Sequence, residues 1–424
     1  RFKSQYRWGN FPSVSAGWVV SEESFFKNLN MNWLSFLKLR GSWGRLGNER
    51  IGNYPTTGLI TISNTLFYQN GSAASTSTAA QTTYVIPSLS WETTDSYDIG
   101  LDATFLDSRL RLAADYYKKK TSGMLLSLEI PDYVGYDNPS QNAGKMHTKG
   151  WEVELGWHDQ IGDWQYGASV NLSDFVSRMG DLGGTEFLGD QVKKEGSEFN
   201  EWYGYLSDGL FLTQEDLDNS PKIADNVKVG DVKFKDISGP DGVPDGKISP
   251  EYDRVLLGGS LPRYTFGANL NVAYKGLDLS IQLQGVGKRN VRLNGNNNGM
   301  DYRWNNNFAE ILVGNYWSEK NSDEQNAKAI YPRLNEANYS VSQGVMSSFW
   351  LRNGGYMRVK NITLGYTLPR EWTQKIFMKQ VRAYLSMNNL LTFDKLPKGV
   401  DTELLANISY PYTKSVLMGV SVNF

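Results

Sequence analysis

Side chains able to do chemistry form three groups in this chain. The first is an acidic stretch, Asp236-Ile-Ser-Gly-Pro-Asp241-Gly-Val-Pro-Asp245-Gly-Lys-Ile-Ser-Pro-Glu251-Tyr-Asp253. Oxygen ligands at alternate positions, bent at a glycine and closed by a distal acid, encircle a hard cation such as Ca2+. Asp236, Asp241, Asp245 and Asp253 are the candidate ligands. Val243 stands where a third-position ligand belongs, and Asp253 falls one place late for a loop counted from Asp241. A solvated turn is therefore the competing reading.

The second group is paired acids. Glu152 and Glu154 alternate along one strand, as do Asp98 and Asp102. A glycosidase needs two carboxylates about 5–10 Å apart across a sugar. Strand acids meet that spacing trivially, and the lining of a watery channel accounts for them, so no enzyme is expected. Gly285-Val-Gly287 lacks the third glycine and the following helix of a nucleotide loop.

The third group is aromatic. Trp202, Tyr203 and Tyr205 precede the acidic stretch, and Tyr302, Trp304, Trp317 and Trp350 follow it, beside Asn296 to Asn298 and Asn305 to Asn307. Flat rings stack on sugars or pack peptide side chains while amides supply hydrogen bonds. Trp202, Tyr203, Tyr205, Tyr302, Trp304 and Trp350 are the substrate-binding candidates. The alternative is that such rings hold long loops together.

Composition narrows the rest. With no cysteine and only His147 and His158, thiolate catalysis, cysteine-ligated metals and histidine relays fall away. Lys plus Arg number 43 against 45 Asp plus Glu, with no long basic run, which argues against nucleic acid. No apolar run approaches the ~18 residues of a membrane-spanning helix.

The elements that position these groups have period two. Tyr97, Ile99, Leu101, Ala103 and Phe105 alternate with polar residues, and after Leu106-Asp-Ser-Arg109 so do Leu110, Leu112, Ala114 and Tyr116. The unit recurs at 151–158 and 164–172, and at 264–274 and 277–283 across Lys275-Gly276. Further strands are expected near 8–18 and at 37–43, 362–366, 381–387 and 416–424, about eleven in all, each near the ~9–11 residues a tilted strand needs to cross a bilayer. Tight links alternate with long ones at 47–90, 121–144, 176–261, 291–344 and 393–411. Short turns on one side, long loops on the other and aromatics at strand ends fit a transmembrane β-barrel. A soluble or surface-exposed all-β carbohydrate-binding or adhesion protein shows the same alternation and stays open as the alternative.

Particular segments carry a resemblance over nearly the whole chain: Leu106-Asp-Ser-Arg-Leu110 with Asp115-Tyr-Tyr117, Leu261-Pro-Arg-Tyr-Thr-Phe-Gly267, Tyr356-Met-Arg-Val-Lys-Asn-Ile-Thr-Leu-Gly-Tyr-Thr-Leu-Pro369, Asn388-Asn-Leu390 and Tyr410-Pro411. In this order the chain resembles the SusC-type TonB-dependent outer-membrane transporters of Bacteroidetes. The resemblance implies an all-β, antiparallel transmembrane barrel of 22 strands around a plug, of which residues 1–424 would be roughly the C-terminal half. Plug, TonB-contacting segment and first strands are expected before residue 1. The resemblance further implies import of an oligomeric nutrient, glycan first and peptide second. It also implies a SusD-like surface lipoprotein as lid, TonB as energy source and outer-membrane lipid around the wall.

Overall fold

The structure, a computed structural model, describes every residue except 30, 54, 70, 128–131, 185, 294–309 and 405–411. Eleven strands form one antiparallel sheet in strict chain order. We label them β1 (Ser13–Val19), β2 (Leu34–Asn48), β3 (Glu92–Phe105), β4 (Leu110–Ser122), β5 (Lys145–Ile161), β6 (Trp164–Met179), β7 (Arg263–Tyr274), β8 (Leu277–Lys288), β9 (Tyr356–Thr367), β10 (Gln380–Asp394) and β11 (Ser415–Asn423).

The register aligns the apolar positions across the wall. Leu101 lies opposite Ala114, Ala114 opposite Val153, Val153 opposite Leu172 and Leu172 opposite Phe266. Further along, Leu270 meets Ile281, Ile281 meets Ile362, Ile362 meets Met387 and Met387 meets Val416. Because side chains alternate at every residue, a one-residue slip anywhere would turn apolar side chains to the wrong face. Aromatic pairs close the lower edge: Trp164 stacks on Tyr274 at 4.4 Å between centroids. Where β7 turns into β8, Lys275 and Gly276 both have positive φ, the two-residue turn that matches strand twist.

Most wall strands are longer than the bilayer requires, with 17 residues in β5 and 16 in β6. They continue past the apolar band on the side of the long connections, as polar ladders in water. At the chain start, Trp8 and Phe11 lie outside the strand, which begins at Ser13. The long connections are themselves folded. Those between β6 and β7 and between β8 and β9 share one hydrophobic interior, built from Tyr205, Leu210, Val232, Phe234, Ile248 and Trp317, and the β8–β9 connection builds another of its own from Val291, Leu293, Leu312, Tyr331 and Trp350.

A substitution at Leu270, midway along the apolar face of β7, tests which face meets lipid. Leu270→Arg is expected to destabilise the folded barrel by about 2–4 kcal/mol, and Asn271→Arg on the opposite face by far less. Denaturant unfolding in vesicles reads both, and equal costs would refute the face assignment.

Candidate substrate-binding site in the long connections

The six aromatic candidates separate into three outcomes. Tyr302 and Trp304 lie outside the described residues, as do Asn296 to Asn298 and Asn305 to Asn307. Tyr205 and Trp350 are interior side chains, 6% and 2% exposed. The Tyr205 ring packs on Phe234 at 5.3 Å, and Trp350 Nε1 donates to the Ser342 carbonyl at 3.1 Å. These two rings present no face to a ligand in this structure, because the loops they belong to need a core of their own. Burial also pushes the Tyr205 and Tyr331 hydroxyls above their ordinary pKa. Trp317, singled out with them, is buried likewise.

Trp202 and Tyr203 are half-buried. They sit on the short strand Glu201–Tyr205, which pairs with Arg254–Gly258. Trp202 Nε1 donates to the Asn290 carbonyl at 3.0 Å, and the Arg254 guanidinium covers one face of Tyr203 at 4.3 Å. Each ring is thus held in one orientation without being fully covered. Gly204, the next residue, lies against the chain at Met346, where a Cβ would collide with the carbonyl oxygen. Tyr205 N donates to that oxygen at 3.0 Å.

The acidic stretch forms no cation cage. Asp253 is fully buried, and its carboxylate accepts from the amides of Ile237 at 2.8 Å, Ser238 at 3.3 Å and Ser249 at 2.7 Å. Asp236 accepts from Gly246 N at 2.6 Å and Asp245 from Lys247 N at 3.0 Å, while Asp241 is exposed. Among the described residues no three acids or histidines converge as metal ligands. Asp253, the expected closing ligand, satisfies buried backbone donors, while Asp236 Oδ1 is buried without a hydrogen-bond partner among the described residues.

The paired acids face the polar side of the wall. Arg40 Nε reaches Asp102 at 2.7 Å and its Nη1 reaches Asp115 at 2.9 Å, so Asp102 is an ion-pair partner. Glu152 lies opposite Asp115 across β4 and β5. Toward the last strands Asn361 Nδ2 donates to Ser386 Oγ and Asn388 Oδ1, both at 2.8 Å, and Thr363 Oγ1 donates to Asn361 Oδ1 at 2.9 Å. This face is a hydrogen-bonded polar lining that needs no apolar core behind it.

Two ionic clusters escaped the sequence reading. Arg333 grips the fully buried Asp231 through Nε at 2.8 Å and Nη2 at 3.1 Å, tying the β6–β7 connection to the β8–β9 one. Arg358, on β9, donates to Thr392 at 3.0 Å, Glu403 at 2.7 Å and both Asp401 and Thr402 at 3.2 Å. Lys360 joins it on Glu403 at 3.2 Å, and the Tyr412 ring lies beneath both cations. Single charges with partners more than 40 residues away leave no local pattern, although Arg358 does lie within the longest family-like segment.

An eleven-stranded meander with an apolar outer band, a polar inner face and a dome of loops on one side is the wall of a membrane barrel. The family model for the TonB dependent receptor-like β-barrel matches residues 1–390. The chain belongs to that family.

Relatives of this TonB-dependent receptor chain include the TonB-dependent receptor P26 of Formosa agariphila, 30% identical over 449 aligned positions that take in 100% of this chain and 43% of that protein. The TonB-dependent receptor SusC of Bacteroides thetaiotaomicron is 26% identical across 100% of this chain and 41% of its own length. Among solved structures the RagAB peptide transporter superposes with a TM-score of 0.78 at 25% identity, covering 100% of this chain and 44% of that one. The receptor chain described here therefore spans less than half the length of these relatives, and its sheet is part of a larger barrel. Membership places it in the outer membrane and sets aside the soluble sandwich.

Proposed function

We propose that this TonB-dependent receptor chain forms part of an importer that moves oligomeric nutrients across the outer membrane. The observation that carries the proposal is the pairing of a lipid-facing wall with a polar inner lining, capped on one side by folded loops that bear the oriented rings of Trp202 and Tyr203. A plug, the first strands and a TonB-contacting segment would precede residue 1, with TonB supplying the energy. A SusD-like lipoprotein would close over the loops, a reading supported by likeness to SusC and to RagAB. No catalytic step is assigned to the chain, and a calcium ion forms no part of the proposal.

Oligosaccharide is the first substrate class, since half-exposed rings held in one orientation suit sugar stacking. Peptide is the second, favoured by likeness to a peptide transporter over the whole of this chain. Calorimetric titration of the intact receptor complex with oligosaccharide and peptide pools separates the two. Trp202→Ala with Tyr203→Ala is expected to weaken the bound class about tenfold or more, at roughly 1–3 kcal/mol for a lost ring contact. Unchanged affinity in the double variant would remove these rings from the site, and absence of binding by both pools would overturn the importer reading.

A further inference from the structure

On the outer wall, the apolar band ends in an aromatic row and the residues just above it are cationic. Tyr116 on β4 lies directly opposite Trp151 on β5; two residues higher, Lys118 lies opposite Lys149, and two higher again, Lys120 lies opposite His147. These three lysines and His147 are exposed, and Lys118 Nζ stands 5.7 Å from the Tyr116 ring centroid.

The acids of the neighbouring strands are already engaged. Asp95 lies directly opposite Lys120 but has its ion pair with Arg45, while Asp174 pairs with Arg263, Asp181 with Lys145 and Glu198 with Arg178. Among the described residues Lys118, Lys120 and Lys149 have no carboxylate within ion-pair distance. Like charges directly opposite on an antiparallel pair destabilise it. The arrangement is relieved when an anion sits between the ammonium groups, and each ammonium offers three donors to phosphate oxygens. The height of the cluster selects the anion. Aromatic girdles lie at the level of lipid headgroups, so side chains one step above Tyr116 and Trp151 meet the phosphate layer of the outer leaflet.

We propose that Lys118, Lys120 and Lys149 form a binding site for the phosphorylated headgroup of an outer-leaflet lipid. Its acyl chains would lie along the apolar faces of β4 and β5 at Leu112 and Leu155, which are directly opposite one another. The site faces away from the pore and does not depend on what the pore carries.

The test uses the intact receptor, extracted in mild detergent and exchanged into low salt. Native mass spectrometry measures its binding of bis-phosphorylated lipid A, the dephosphorylated lipid and inorganic phosphate. A lysine near an anionic surface contributes about fivefold, so Lys118→Gln, Lys120→Gln and Lys149→Gln together are expected to weaken the phosphorylated lipid about a hundredfold. The same change at exposed loop lysines, Lys222→Gln, Lys247→Gln and Lys320→Gln, is expected to leave binding unchanged. Heat-modifiable migration reports that each variant barrel is folded. If the triple variant does not assemble, Lys118→Gln and Lys149→Gln singly, each about fivefold weaker, carry the test. Equal binding by the lysine and control variants overturns the proposal. So does equal binding of the dephosphorylated lipid, or inorganic phosphate binding as tightly as the lipid.

Discussion

Arg333→Ala is expected to loosen the loop dome while leaving the barrel intact. Asp231 has no exposed surface, and Arg333 holds both of its oxygens. Removing one partner of a buried pair strands a desolvated charge, at a cost of about 3–5 kcal/mol. The pair also sits in a web of backbone bonds between the two connections. Phe211 N donates to the Asp231 carbonyl at 3.0 Å, Arg333 N to the Gly230 carbonyl at 2.8 Å and Val232 N to Ser342 Oγ at 3.0 Å. Hydrogen exchange of the amides in 207–234 and 311–345 is the direct reading. Their protection should fall by about two to three and a half decades, while wall amides keep theirs. Removing both charges, with Asp231→Asn and Arg333→Gln, should recover much of the loss, because no unpaired ion then remains buried. Unchanged exchange in Arg333→Ala would show that the apolar interiors alone hold the dome.

Arg358→Ala is expected to free the connection between β10 and β11 from the wall. Arg358 is 4% exposed and Thr402, on the far side of the contact, 1%. Its five-donor fork links four side chains, a task lysine cannot reproduce. Without it Asp401 and Glu403 face each other with Lys360 as the remaining cation on Glu403. The loss is again about 3–5 kcal/mol, because two partly desolvated carboxylates lose their common partner. Limited proteolysis at 395–404 should accelerate by two decades or more, with Arg358→Lys falling between the variant and the parent. The register break between β8 and β9 explains the aim of this side chain: Leu283 pairs with Val359 and Gln282 with Asn361, so Lys360 is an extra residue that shifts the alternation, and positions above and below it follow separate rules. Equal proteolysis rates in Arg358→Ala and the parent would sink this account.

Much of the wall was legible without coordinates. Apolar residues at every second position from Tyr97 to Phe105, and again from Tyr264 to Tyr274, leave few alternatives to a half-polar strand, and all eleven expected strands are present in the order expected. Strand ends were less legible: β5 begins at Lys145, six residues before the alternation becomes apolar at Trp151. Above the bilayer the ladder is held by backbone bonds and by polar side-chain pairs such as Thr148 with Ser177 and Thr94 with Thr121, which carry no hydrophobic signature.

The site was harder. Trp202 and Trp350 read identically in sequence, as single indoles in long polar connections. One is half-buried beside Asn290, the other sealed in a core with Leu312 and Tyr331. The aspartates of 236–253 resemble a cation loop because Asp serves equally as metal ligand and as acceptor for backbone amides, and only the fold shows Asp253 doing the second.

By itself, then, the sequence determined the barrel class, the strand order and the division into lipid-facing and lumen-facing sides, because alternation is a local property that backbone geometry forces on each strand. Tertiary structure alone decided which loop aromatics are interior, how Asp231 finds Arg333 and how Arg358 finds Glu403. Those outcomes depend on contacts between distant segments, and a side chain's burial is fixed by what packs over it.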